Sequence, residues 1–205
     1  EKRLAAAGRE FMVIHTHPNN HAGYYPDAKQ IALKLIFDPK TGEILGGQGV
    51  GVDGVDKRID VIATAIRGGI TAPELADLEL AYAPPFGSAK DPVNMLGYIA
   101  ENMMSGLLKT AQWNETQKYR EAGYQLIDVR TPSEYSRGTI PGAINIPVDE
   151  IRERVAEIKK EPILVNCQVG QRGHTATMLL KELGFDATNL DGGYLTYSNS
   201  PAAIN

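Results

Sequence analysis

The sequence predicts an α/β chain in two parts: a small antiparallel sheet with helices, then a mostly parallel sheet with helices on its faces. Three observations predict it. Apolar or alternating runs in the first fifty positions give way to amphipathic helical stretches. A polar stretch, "SGLLKTAQWNETQKYREAGY", separates the halves near residue 107. Beyond it, short β-prone runs alternate with helical segments, the pattern of parallel strands joined by crossovers. At 205 residues, 42% hydrophobic and 22% charged, the chain is long enough for each half to bury a core of its own. There is no internal repeat and no low-complexity tract.

In the first half, "EFMVIHTH" and "QIALKLIFD" read as strands, and the turn signal "PKTG" leads into a third, "EILGGQGVG". Val55, Ile59, Ile62 and Ile66 then recur at helical spacing behind Asp53 or Asp56, either of which could cap the helix, and "RGG" ends it. A second helix is predicted from Thr71, where "TAPE" offers a capping box with Pro in the first turn. "YAPPFGSAKDP" reads as a loop, and a further amphipathic helix runs from Pro92 to about Met104. In the second half, "YQLIDV", "GAINIP", "PILVNC" and "DATNLD" read as strands, while "SEYSRG", "DEIRERVAEI" and "HTATMLLKELG" read as helices. The expected domains are 1–106 and 107–205.

A net charge of −4 and the lack of any Lys/Arg-rich run give no reason to expect nucleic acid or an anionic membrane surface as partner. No apolar stretch approaches the roughly 20 residues needed to cross a bilayer, and the opening "EKRLAAAGREF" lacks the apolar core of a signal peptide. A single cysteine cannot form an internal disulfide, so a reducing, cytoplasmic setting is expected. The first residue is not Met, a hint that the sequence is a piece of something longer.

That cysteine, Cys167, lies where ligands gather in such a sheet, beyond the carboxyl end of the strand "ILVN" and before a helix starting near Gly173 or His174. Unpaired amides at a helix N-terminus, with Arg172 nearby, favour an anion in the loop, and a thiolate is such an anion. Gly170 lets the loop curl so that successive amides point inward. Asp128, at another strand end, is read as a loop-fixing carboxylate rather than an acid–base group.

"CQVGQR", Cys-x-x-Gly-x-Arg, resembles the active-site loop of the rhodanese family of sulfurtransferases, and "LIDVRTPSEYSRGTIPGAINIP" and "LDGGYLTYS" are similar to that family's flanking motifs over about residues 110–200. The resemblance implies that Cys167 accepts a sulfane sulfur as a persulfide and passes it to a nucleophilic thiol acceptor. The loop residues Gln168, Val169, Gly170, Gln171 and Gly173 would hold that persulfide. Arg172 would orient an anionic sulfur donor, and Arg130 would lie near the pocket mouth as a substrate-binding residue. Cysteine phosphatases use the longer Cys-x5-Arg loop, so this loop suits a persulfide better than a phosphate. His174 is bulkier than the small residue expected after the arginine.

His15, His17 and His21 in "HTHPNNHAGYYPDA" have no neighbouring carboxylate or cysteine to complete a metal set, and no metal is expected. "GVGVDG" is formally G-x-G-x-x-G, but it follows strands that look antiparallel, so it reads as a strand end turning into a helix rather than a dinucleotide site. "HAGYYPDA", "KLIFDPKTGEILGGQGVG", "VDKRIDVIATAI" and "LAYAPPFGSAKDPVNMLGYIAEN" resemble the dimerisation domain of flavin-dependent pyridine nucleotide-disulfide oxidoreductases, nearest the coenzyme A-disulfide reductase and NADH oxidase branch. Some members of that branch carry a rhodanese module in this order.

The resemblance implies a homodimer formed through residues 1–106, with flavin and nicotinamide domains on the N-terminal side of this sequence. Nothing here resembles a flavin site, so no cofactor is expected in this fragment. FAD, NAD(P)H and coenzyme A as substrate or ligand are implied for the longer protein. By motif, Tyr24 and Tyr82 would reach the partner's coenzyme A disulfide site, with Tyr25 able to replace Tyr24; interface packing alone would place the same residues there. Two other readings stay open: a dimerisation and binding module whose rhodanese part is idle, and a cysteine phosphatase.

Overall fold

The computed structural model describes residues 1–203, and the chain divides after Leu107 into two compact units. In the first, a short helix α1 (Lys2–Ala6) precedes an antiparallel sheet of β1 (Met12–Thr16), β2 (Ala32–Phe37) and β3 (Ile44–Val50), with β2 in the middle. Val13, Leu33, Leu35 and Phe37 on the strands are buried with Ile62 of α2 (Val55–Gly68) and Leu96 of α3 (Pro92–Met104). Three strands read as alternating apolar runs need such helical cover to be stable.

Helix α3 begins as expected: Asp91 accepts from the Val93 amide, Asn94 completes the capping box, and Pro92 stands at the first helical position. Helix α2 ends at Gly69, whose φ of 73° only glycine adopts cheaply. Its start corrects the sequence reading. Neither Asp53 nor Asp56 caps it; Gly54, at φ 69°, is the cap residue, and the Asp53 carboxylate is held by the Asn20 amide. A side chain on Gly54 would press on Arg58 and Asn20, which explains the glycine. At "TAPE" the Glu74 carboxylate does accept from the Thr71 amide and hydroxyl, but the turn it caps is a single 3-10 segment, Pro73–Asp77. "GVGVDG" is the end of β3 running into α2, as read.

The second unit is a five-stranded, wholly parallel sheet in the order β4-β8-β7-β5-β6, formed by β4 (Thr110–Ala111), β5 (Gln125–Asp128), β6 (Ile144–Asn145), β7 (Ile163–Asn166) and β8 (Ala187–Leu190). Around it lie α4 (Thr116–Glu121), α5 (Pro132–Ser136), α6 (Gln171–Glu182) and α7 (Gly193–Ser198). Alternate strand residues feed two cores. Ile127, Val165 and Ala187 pack with Ala176 and Leu180 of α6, whereas Leu126, Leu164 and Leu190 pack with Tyr197 of α7. Burial on both faces accounts for the apolar run of the central strand β7.

The expected helix "DEIRERVAEI" is absent. Two 3-10 turns, Val148–Glu150 and Val155–Glu157, stand in its place, with Arg154 out of helical conformation between them. Strand β4, only two residues long, was not predicted.

Candidate active site

Cys167 follows the central strand β7 at its carboxyl end, and the loop 167–170 delivers the chain into α6. Gly170 makes the turn at φ 94°, where a side chain would be strained. Three of the loop carbonyls are held by partners outside the loop. Cys167 O accepts from the Tyr194 amide at 2.7 Å, Gln168 O from the Leu195 amide at 2.9 Å, and Gly170 O from Asn189 Nδ2 at 3.2 Å and the His174 amide at 2.9 Å. All peptides among the described residues are trans, so N–H and C=O of each unit point opposite ways. The amides of Gln168, Val169 and Gln171 therefore turn to the inner side of the loop.

The Gly170 amide donates to Cys167 Sγ at 3.2 Å. The first-turn amides of the twelve-residue α6 add the positive end of its dipole. The sulfur itself has 0% exposure and borders the α6-side core with Val129 and Val165. Its hydrogen bond to the Gly170 amide ties it to the loop, and it is enclosed.

Arg172, in the first turn of α6, is gripped by Glu134: Nη1 to Oε2 at 2.8 Å and Nη2 to Oε1 at 2.6 Å. Glu134 also accepts from the Thr131 amide and hydroxyl in the capping box of α5. The Arg172 bond, with these two, holds the Glu134 carboxyl at about 2, well below the usual carboxylate range. The same pair raises the Arg172 pKa, helped by the charges of Cys167 and Asp128.

Arg130 does not stand at a pocket mouth. It is 2% exposed, and each guanidinium nitrogen has a partner: Nε and Nη2 on the Asp128 carboxylate, Nη2 on Gly138 O at 2.6 Å, Nη1 on Gln168 Oε1 at 3.0 Å, with the Tyr194 ring 4.2 Å beneath it. A buried carboxylate two residues upstream draws it inward, so it braces the loop through Gln168. Asp128 also accepts the Arg130 amide and the Thr139 hydroxyl.

Gly173 leaves room for Asn189, whose Oδ1 would lie 2.2 Å from a Cβ there. Gly193 is tighter still: a Cβ would stand 2.5 Å from Cys167 O and 2.8 Å from the Gly170 and Val169 nitrogens. His174 is half-buried, its Nδ1 has no hydrogen-bond partner among the described residues, and burial lowers its pKa.

Sequence reasoning missed Glu134, Asn189 and Tyr194. Glu134 could have been found, because "TPSE" is a capping box in the sequence. Nothing local marks Asn189, which matters only through its reach across to Gly170 O.

In the first unit the structure brings Tyr24 and Tyr82 together, hydroxyl to hydroxyl at 2.8 Å, although they are 58 positions apart in sequence. They are 77% and 48% exposed. The bond to Tyr24 raises the Tyr82 pKa. Tyr25 instead meets the edge of His21. His21 Nδ1 lies 3.1 Å from Ala22 O, and among the described residues no three His, Cys, Asp or Glu side chains gather as a metal site. No described helix is long and apolar enough to cross a membrane.

Residues 110–200 match the family model of the rhodanese-like domain, and residues 1–92 match that of the pyridine nucleotide-disulphide oxidoreductase dimerisation domain. The reduced CoADR-RHD of Bacillus anthracis is 49% identical and superposes with a TM-score of 0.94 over 97% of this chain and 36% of that one. An NAD-dependent persulfide reductase from A. fulgidus is 37% identical with a TM-score of 0.86, covering 96% of this chain and 36% of that one. The coenzyme A disulfide reductase of Staphylococcus haemolyticus is 40% identical over 94 residues, which are 46% of this chain and 21% of that protein. The chain thus spans about a third of the solved relatives and a fifth of the curated one.

Proposed function

Given that residues 1–92 belong to the pyridine nucleotide-disulphide oxidoreductase dimerisation family and residues 110–200 to the rhodanese-like family, we propose that this chain transfers sulfane sulfur through a persulfide on Cys167. The observation that carries the reading is the Gly170 amide donating to Cys167 Sγ in a loop where the carbonyls of Cys167, Gln168 and Gly170 are tied to partners outside it. The reaction runs in two displacements. The Cys167 thiolate attacks the outer sulfur of the donor, the bond from that sulfur to the leaving group breaks, and the leaving group departs with the electron pair, as sulfite does from thiosulfate. The new terminal sulfur carries the negative charge among the amides of residues 168–171. An acceptor thiolate then attacks that sulfur and the Cys167 thiolate is released. No net oxidation occurs.

The domains assigned are 1–106 and 107–205, the first serving as a homodimer interface. In the longer protein this unit would work beside flavin and nicotinamide domains, in a cytoplasmic enzyme reducing coenzyme A disulfide, coenzyme A persulfide or polysulfide. FAD and NAD(P)H would supply the electrons there. The exposed Tyr24–Tyr82 pair fits a coenzyme A sulfur site, because Tyr82 stays protonated and either phenol can donate to a departing thiolate.

The enclosure of Cys167 favours one rival, an idle binding module. Steady-state sulfur transfer from thiosulfate to a thiol, compared between the wild-type chain and Cys167→Ser, separates the two. Turnover lost in the variant supports the proposal, and no turnover in either chain supports the rival.

A further inference from the structure

Both guanidinium groups at the cysteine loop are neutralised by carboxylates. Arg130 is paired with Asp128 inside the fold, and Arg172 is paired bidentately with Glu134. Glu134 is itself anchored at the start of α5 by the Thr131 amide and hydroxyl, so its carboxylate is held in place facing Arg172. The positive potential left for a ligand therefore comes from backbone: the inward amides and the α6 terminus, which is worth about half a charge. Such a cradle suits one negative charge and meets a dianion at a disadvantage.

Building on the persulfide reading above, we propose that Glu134 is a specificity-determining residue: by occupying Arg172 it biases the loop toward singly charged sulfane donors, such as organic persulfide or thiosulfonate anions, over dianionic thiosulfate. Glu134 acts through Arg172 and is a positioning residue rather than a catalytic one. A loop arginine without such a partner would offer its full charge to the dianion. The capping-box role is separable from the charge, because glutamine can accept from Thr131 as glutamate does.

The test compares two donors that differ by one charge and share the same chemistry. Thiosulfate loses sulfite, and methanethiosulfonate loses methanesulfinate, when the Cys167 thiolate takes the sulfane sulfur. The rate of Cys167 sulfur loading on the full chain is measured with each donor at low salt for wild type, Glu134→Gln and Glu134→Asp. In Glu134→Gln the preference should shift toward thiosulfate by roughly threefold to tenfold, the order of Coulomb effect expected for one nearby charge under partial water screening. Glu134→Asp keeps the charge and should keep the wild-type preference.

An equal change with both donors in Glu134→Gln, or an Asp variant shifted as far as the Gln variant, overturns the proposal while leaving the persulfide reading intact. Failure of the wild-type chain to load sulfur from either donor overturns both.

Discussion

Gly193→Ala places a methyl group against the backbone of the cysteine loop. The new Cβ would lie 2.5 Å from Cys167 O and 2.8 Å from the nitrogens of Val169 and Gly170. These are backbone atoms at the close of β7, so they cannot swing aside as a side-chain tip would. Three costs combine. Alanine at φ +62° costs ~1–2 kcal/mol, overpacking costs ~1–3 kcal/mol, and a weakened Tyr194 amide bond to Cys167 O costs ~1 kcal/mol.

Together they come to about 3–6 kcal/mol, or a Tm lower by at least ~12 °C for a unit of this size. The chain's sole tryptophan, Trp113, packs on the α7-side core, so its fluorescence reports this unit alone. Gly184→Ala is the control, since Gly184 has φ 84° with open space around it and isolates the conformational cost. Urea melts followed at Trp113 should show Gly193→Ala at least ~2 kcal/mol below Gly184→Ala, with sulfur loading of Cys167 impaired only in the former. Equal stability of the two variants refutes the close approach of α7 to the loop.

Other outcomes follow from the same geometry. Arg130→Ala strands the buried Asp128 carboxylate and should cost ~3–5 kcal/mol in the Trp113-reported melt, along with the brace on Gln168. Because the folded Glu134 carboxyl is depressed to about 2 from 4.5, its stabilisation is fully present above pH 4.5 and is lost as pH falls toward 2. Acid titration of Trp113 fluorescence should show that decline, and Glu134→Gln should flatten it. Tyr24→Phe removes the hydrogen bond that raises the Tyr82 pKa, so ultraviolet titration should find Tyr82 ionising at lower pH in the variant than in wild type.

The sheets and the loop were legible in the sequence because their signals are local. Apolar or alternating runs marked β1 to β3, short β-prone runs between helical segments marked the parallel strands, and Cys-x-x-Gly-x-Arg after "ILVN" marked the loop. The segment 148–158 misled for a physical reason. Val148, Ile151, Val155 and Ile158 have helical spacing, and Ile151 and Ile158 are indeed buried, yet two 3-10 turns bury them between β6 and β7. Arg154 closes the segment through Glu150 and Glu157, charges that a helix would have paired equally well.

Arg130 misled because Asp128 could not be seen to face it. The α2 cap misled because Asn20, from another part of the chain, claims the Asp53 carboxylate. The Tyr24–Tyr82 bond depends on contacts between residues far apart in sequence, and only the motif resemblance had singled out both tyrosines.

The central claim is that one cradled sulfur carries a second. Intact-mass spectrometry of the full chain after exposure to thiosulfate or polysulfide, with peptide mapping, measures it directly. A gain of about 32 Da located on Cys167 is the predicted result; an unchanged mass at that residue, with the protein folded and the donor in excess, contradicts the account.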